Sequence, residues 1–158
     1  MDLHQLADAL VANGEQVAAA AHGDISKLKN SYGEGKWNGI EIISHIADVD
    51  VVNLSRFMRI VAEPGCDLPA IHADNWNTEL KGASRPTELS IATIRSCRAT
   101  FAFFLRTIPE ETLKTRTGNH SEKGPLSALD LVAITMKHTS HHLEQVDAIR
   151  QGKSWVKG

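Results

Sequence analysis

Residues 38–62 constrain this chain more than any other stretch, because they read as a helix that is apolar on two sides at once. Ile43, Ile46, Ala47, Leu54, Phe57 and Val61 form one arc, and Ile42, Val49 and Val52 form a second stripe with His45 in line. The polar strip that remains holds Glu41, Ser44, Asp48, Ser55 and Arg59. A helix that buries two sides needs two neighbours, so it lies centrally in a bundle or also forms a subunit interface. Asn38 with Glu41 three residues later is a capping-box pattern that opens it. Pro64-Gly65 closes it.

Three further stretches share the helical period. Residues 2–21 place Leu3, Leu6, Leu10, Val17 and Ala21 at helical spacing in an alanine-rich setting, with Gly14 as a weak point and Gly23-Asp24 as the stop. Thr87 can cap a helix that runs to about Thr107, ahead of Pro109. Ser127 with Asp130 is a second capping-box pattern, opening a helix to about Gln151 where Gly152 ends it; the tail beyond reads as frayed. No stretch alternates as a strand would, and no internal repeat is visible. The expectation is an all-α four-helix bundle, a single domain over residues 1–158, with a long connection between the second and third helices. That connection, up to Pro86, is longer than most helix–helix links, and such loops often carry function. A short helical turn from Trp76 to Leu80 is compatible with its composition.

Partners are bounded by charge. A net charge of −2 with no basic patch argues against a nucleic-acid surface. Cys66 and Cys97 form no CxxC pair, which fits a reducing compartment. The start of the chain lacks a basic-then-apolar leader pattern, and no apolar run is long enough to cross a bilayer, so the expected setting is cytoplasmic with no membrane partner.

Chemistry concentrates in the histidines. Three of the eight fall within residues 138–142, and His138 and His142, four apart, stand one above the other on a helix. Leu131, Ile134 and Ile149 extend that face, so the imidazoles point toward a core. An i, i+4 pair lets two ring nitrogens converge on one divalent ion, and catalytic sites usually stop at three protein ligands and leave one position open. His4 and His22 sit toward the ends of the first helix, and His72 and His120 in connectors. His45 alone lies on an apolar stripe inside a long helix, which makes it the leading third ligand. The alternative is that these are hydrogen-bonded core histidines, but three inward imidazoles without an ion are costly to desolvate.

Two segments resemble a known family. His45-Ile46-Ala47-Asp48, preceded by Lys36-Trp37-Asn38, is similar to the second helix of the DinB-like superfamily. His138 through Val146 resembles its closing H-x-x-H-H-x-x-Q signature, and Arg116-Thr117-Gly118-Asn119-His120 through Ser127 resembles the lead-in of one branch. The resemblance implies a four-helix bundle, often dimeric, with a divalent metal on His45, His138 and His142. It also implies that relatives include metal-dependent hydrolases and transferases or isomerases that use a low-molecular-weight thiol.

Around that triad, His141 points away from the His138/His142 line and reads as a neighbour of the ligands or a surface residue. Gln145 lies one turn on and is a candidate contact for bound water or substrate, or a buried, satisfied amide. His120 is a candidate fourth ligand or proton shuttle, against the alternative of an exposed loop histidine. Asp48 could orient an imidazole, although its polar strip favours a solvated carboxylate. Trp37 and Trp76 could wall a pocket. The expected function is a metal-dependent enzyme, a hydrolase or a low-molecular-weight-thiol S-transferase, acting on a small molecule as a homodimer. The metal would be zinc or nickel first, with iron, cobalt or manganese open. The alternative is a non-catalytic bundle whose metal is structural.

Overall fold

The computed structural model describes residues 1–157. Four long helices dominate: α1 (Leu3–Ala21), α2 (Gly39–Ala62), α4 (Thr87–Thr107) and α6 (Ala128–Arg150). A one-turn 3-10 helix (Ile25–Lys29) follows α1. Between α2 and α4 lie a two-residue strand β1 (Asp67–Leu68), a short helix α3 (Ala73–Glu79) and a 3-10 turn (Gly82–Ser84). Between α4 and α6 lie α5 (Glu110–Thr115) and a hairpin of β2 (Thr117–His120) and β3 (Gly124–Ser127).

Both capping boxes form as expected, Asn38 with Glu41 on α2 and Ser127 with Asp130 on α6. Asp2 and Gln5 build a third on α1. Thr87 differs from expectation. Pro86 occupies the cap position and makes no side-chain cap, and Thr87 is the first, buried residue of α4. The tail differs too. The Trp155 N–H donates to the Tyr32 carbonyl, and its indole stands edge-on to the Tyr32 ring, so it is docked rather than frayed.

The helices are not arranged as a simple up-down meander. α1 packs on α4 and α6, and α2 packs on the same two, which puts α1 diagonal to α2 and α4 diagonal to α6. Side-chain pairing gives the directions. Asp8 with Arg106 and Glu15 with Arg95 make α1 and α4 antiparallel. His45 near His138, and Asn53 bonded to Thr135, make α2 and α6 antiparallel. Asp50 with Arg98, and Phe57 against Phe101, make α2 and α4 parallel.

Two adjacent parallel helices explain the long connection. After α2 ends, the chain must return the length of a 24-residue helix, about 36 Å, before α4 can start. It does so along α2 itself, held at successive points. Arg59 Nη1 donates to the Asp67 carbonyl (3.0 Å), Asn77 Nδ2 to the Glu41 carbonyl (3.4 Å) and Ser44 Oγ to the Gly82 carbonyl (3.0 Å). Arg85 then grips Asp48 with both terminal nitrogens, at 2.6 and 3.1 Å. Asp48 is therefore neither solvated nor an imidazole partner; it anchors the crossover. Gly82 passes so close that an added Cβ would fall 1.7 Å from Asn77 Oδ1.

The small sheet is the other departure from the all-helical expectation. β1 pairs in parallel with β2, and β2 antiparallel with β3, in the order β1-β2-β3. It sits where α2 ends and α6 begins, and it ties the two long connections together. Pro125, which has no N–H to give, stands on β3, an edge strand, opposite Asn119.

Two apolar clusters fill the bundle. Leu10, Phe57, Phe101, Leu105 and Leu131 belong to one; Val17, Ile43, Ile46, Ile94 and Val146 belong to the other. Between them runs a buried polar layer. Arg98 and Asp50, each 1% exposed, form a two-pronged ion pair at 2.6 and 3.0 Å. Arg98 also donates to Asn13 Oδ1 of α1 (3.0 Å) and Thr139 Oγ1 of α6 (2.7 Å), so one guanidinium touches all three other long helices. Gly14 makes room for it, since a Cβ there would lie 3.0 Å from Arg98 Cγ. Among the described residues, no helix is long and apolar enough to cross a membrane.

Candidate metal centre

His45 faces α6 because it continues the apolar stripe of α2, and His138 and His142 face α2 because they stand one turn apart on the same side of α6. Their potential ligand nitrogens all lie within 4.8 Å of one another. His45 Nε2 and His138 Nε2 are 3.0 Å apart. The ring centroids of the three are 4.5 to 4.9 Å apart. Two nitrogens on a tetrahedral ion with bonds of about 2.0–2.1 Å stand about 3.3 Å apart, so small adjustments bring the rings to an ion.

Each ring is prepared for that role. Burial pushes His45 down to about 3 and His138 down to about 2, with the neighbouring imidazoles adding to the burial. His142 is also lowered, mainly by burial. All three therefore keep a free lone pair at neutral pH. Gln145 fixes one tautomer: its Oε1 accepts from His142 Nδ1 at 2.7 Å, which leaves Nε2 of that ring unprotonated. The Trp37 indole lies against His45 (centroids 4.8 Å apart) and stacks on His142 (6.3 Å), closing one side of the group. The donors are three neutral imidazoles with no carboxylate or thiolate among them. That set suits a borderline first-row divalent ion and leaves its positive charge undiminished. The residues present fit such an ion.

Beside the cluster opens a cavity of about 280 Å³ whose lining includes His45, His138 and His120. Its walls come from α2, α6, the crossover (Ala70, Ile71, Ala73) and the hairpin. His120 is set in place by the sheet, where Leu68 of β1 is its register partner. The backbone N–H of Glu122 donates to its Nδ1 at 3.2 Å, so the neutral ring carries its proton on Nε2. Burial, then the charge of Arg56, lowers its pKa. His120 thus stands on the cavity wall, outside the three-histidine group. Gln145 is buried behind His142. His141 lies with its ring 5.0 Å from that of Trp155 and joins no metal-ligand group. Trp76 lines a second cavity of about 380 Å³, which shares Val52, Arg56, Ala70 and Ile71 with the first.

Several residues that serve the site escape the reading by histidine spacing. Arg98 holds Thr139, which sits between His138 and His142 on α6, and Asn53 Nδ2 donates to Thr135 Oγ1 one turn earlier (3.0 Å). A charged residue of each sign on an apolar stripe was the available clue: Asp50 falls in line with Ile43, Ile46 and Phe57, and Arg98 in line with Ile94, Phe101 and Leu105. Arg56 and Glu122 line the cavity and carry no such clue.

Three comparisons bear on this site. A model of the DinB superfamily matches residues 3–146. A protein of Oceanobacillus iheyensis named "putative metal-dependent hydrolase" is 26% identical over 129 residues, 82% of this chain and 74% of that one. One of Geobacillus kaustophilus with the same name is 24% identical over 129 residues, 82% and 72% of the two chains. The solved structure of YfiT from Bacillus subtilis, described as a "probable metal-dependent hydrolase with an unusual four-helix bundle topology", superposes with a TM-score of 0.86. It covers 96% of this chain and 89% of that one at 18% identity, and so shares this fold.

Proposed function

This chain belongs to the DinB superfamily, and from that premise we propose that it is a metal-dependent hydrolase of small molecules. The observation that carries the reading is the convergence of His45, His138 and His142 within 4.8 Å on the edge of a cavity. Relatives named for metal-dependent hydrolysis support it. A divalent ion held by His45, His138 and His142 would supply Lewis acidity and would acidify water that it binds. Zinc or nickel suits the all-imidazole donor set best. The chain's own residues do the rest. His45, His138 and His142 present lone pairs, Gln145 holds the tautomer of His142, and Trp37 closes the back of the group. His120, neutral with its proton on Nε2, donates a hydrogen bond to a substrate oxygen as charge builds on it, and Glu122 is the carboxylate on the same wall.

A hydrogen-bond donor facing the cavity favours hydrolysis, in which charge gathers on an oxygen, over transfer of a low-molecular-weight thiol, in which the charge starts on sulfur. The cavity beside the histidines favours catalysis over a purely structural metal. The test is turnover of a panel of small esters, amides and lactones by the zinc- and nickel-loaded protein, alongside conjugation of glutathione to an aryl halide. Hydrolysis that falls at least about a hundredfold in His120→Ala, in line with the loss of a donor to the developing oxyanion, supports the reading. Thiol conjugation without hydrolysis would overturn it.

A further inference from the structure

Arg56 is the anomaly of the cavity wall. The other well-covered arginines on α2, α4 and the crossover each meet a carboxylate: Arg98 meets Asp50 and Arg85 meets Asp48. Arg56 is half-buried and has no carboxylate within ion-pair distance among the described residues. Two neutral acceptors hold it in place, Asn53 Oδ1 on Nη1 (3.0 Å) and the Pro69 carbonyl on Nη2. A guanidinium has five N–H donors, so donors remain for a ligand. Glu122 attracts it only across more than ion-pair distance, so this half-buried charge is incompletely compensated and costs stability. A ligand anion would return that cost as affinity.

The surroundings define the anion. Lys123 and Glu122 share the wall with Arg56, and burial keeps His120 toward the neutral form. At the Arg56 end, away from the ion, two positive charges and one negative leave a single net positive charge, which matches one carboxylate. Val49, Val52, Leu131 and Ile134 make the remaining surface apolar. A cavity of about 280 Å³ holds roughly nine waters' share of liquid, so the enclosed part of the ligand is small. Arg56 lies eleven residues after His45 on one helix, about 16 Å of rise, and its side chain tilts back toward the helix start. The guanidinium and the histidines therefore stand at opposite ends of one ligand.

We infer that the substrate is a small carboxylate with an apolar body, docked by its carboxylate on Arg56 and Lys123 with its hydrolysable group at the His45/His138 end. This rests on the hydrolase reading for the reaction, but the anion site is readable without turnover. The experiment is calorimetric titration of the zinc-loaded protein with hexanoate and with its neutral counterpart hexanamide. Wild type, Arg56→Gln and Arg56→Lys are compared, with zinc content and melting temperature recorded for each. The amide of Arg56→Gln ends two bonds short of the nitrogens that reach Asn53 and Pro69, so the charge-keeping Arg56→Lys and the melting temperatures separate loss of charge from loss of packing.

The expected result is hexanoate bound at least about tenfold tighter than hexanamide by wild type, as for a charge-assisted hydrogen-bonded pair. The preference should vanish in Arg56→Gln and persist in part in Arg56→Lys. Equal affinity for both ligands in wild type, or an undiminished preference in Arg56→Gln, would overturn the assignment; the latter would put the carboxylate on the ion. A wild-type protein that takes up no zinc would sink the hydrolase reading separately, and the Arg56-dependent preference would still decide the anion site.

Discussion

Gln145 shows how much a single side chain can decide at this site. Imidazole binds metal through one nitrogen, and which nitrogen is free depends on what the other donates to. Here the amide oxygen 2.7 Å from His142 Nδ1 makes that choice. Replacing Gln145 by leucine removes the acceptor but keeps the volume, and the expected outcome is a metal affinity lower by about 10–100-fold. Competition with a chromophoric chelator measures it; an affinity equal to wild type would show that the ring is oriented by packing against Trp37 alone. The three histidines were legible because spacing on a helix states which side chains share a face. The roles of Gln145 and His120 were less so. Periodicity put Gln145 on the ligand stripe without saying whether it meets a ring or a substrate. His120 is placed by strand pairing with Leu68, which no side-chain pattern encodes.

At the scale of elements, the layer built on Arg98 joins the helices that carry the ligands. Its guanidinium meets Asp50 on α2, five residues after His45, and Thr139 on α6, between His138 and His142. Removing one partner of a buried ion pair leaves the other charge stranded, so Arg98→Met is expected to lower stability by about 3–5 kcal/mol. The double variant Arg98→Met/Asp50→Leu should recover most of that loss, because both buried charges then disappear together. Urea unfolding of wild type, Arg98→Met, Asp50→Leu and the double variant completes the cycle, and a single variant within about 0.5 kcal/mol of wild type would contradict the role given to the pair. The four long helices and two of their capping boxes could be read from period and turn residues. The crossover's helix was readable only as a compatible turn from Trp76 to Leu80, which α3 (Ala73–Glu79) overlaps, and the three-strand sheet was not readable at all. Thr-Gly-Asn-His and Gly-Pro-Leu-Ser have no apolar alternation, and their pairing is carried by backbone groups. Nor did spacing reveal that α2 and α4 run parallel, although the length of the connection between them is the direct consequence.

For the molecule as a whole, the two-sided apolar character of α2 is mostly absorbed inside, by α4, α6 and the crossover. Part of what is left outside is an edge shared by α2 and α4, where Met58 is 44% and Phe103 60% exposed, with Phe104 beside Phe103 at 5.8 Å. If the chain pairs as the homodimer expected from its sequence through this edge, Phe103→Glu should convert the dimer to a monomer in sedimentation velocity while leaving the fold intact. A wild-type monomer at micromolar concentration would remove the dimer altogether. The central claim, though, is that three histidines from two helices hold one divalent ion. Elemental analysis of untagged protein tests it most directly, comparing wild type with His45→Ala and His142→Ala. About one ion per chain in wild type and its loss in both variants is the predicted result; metal content unchanged by either substitution would contradict it.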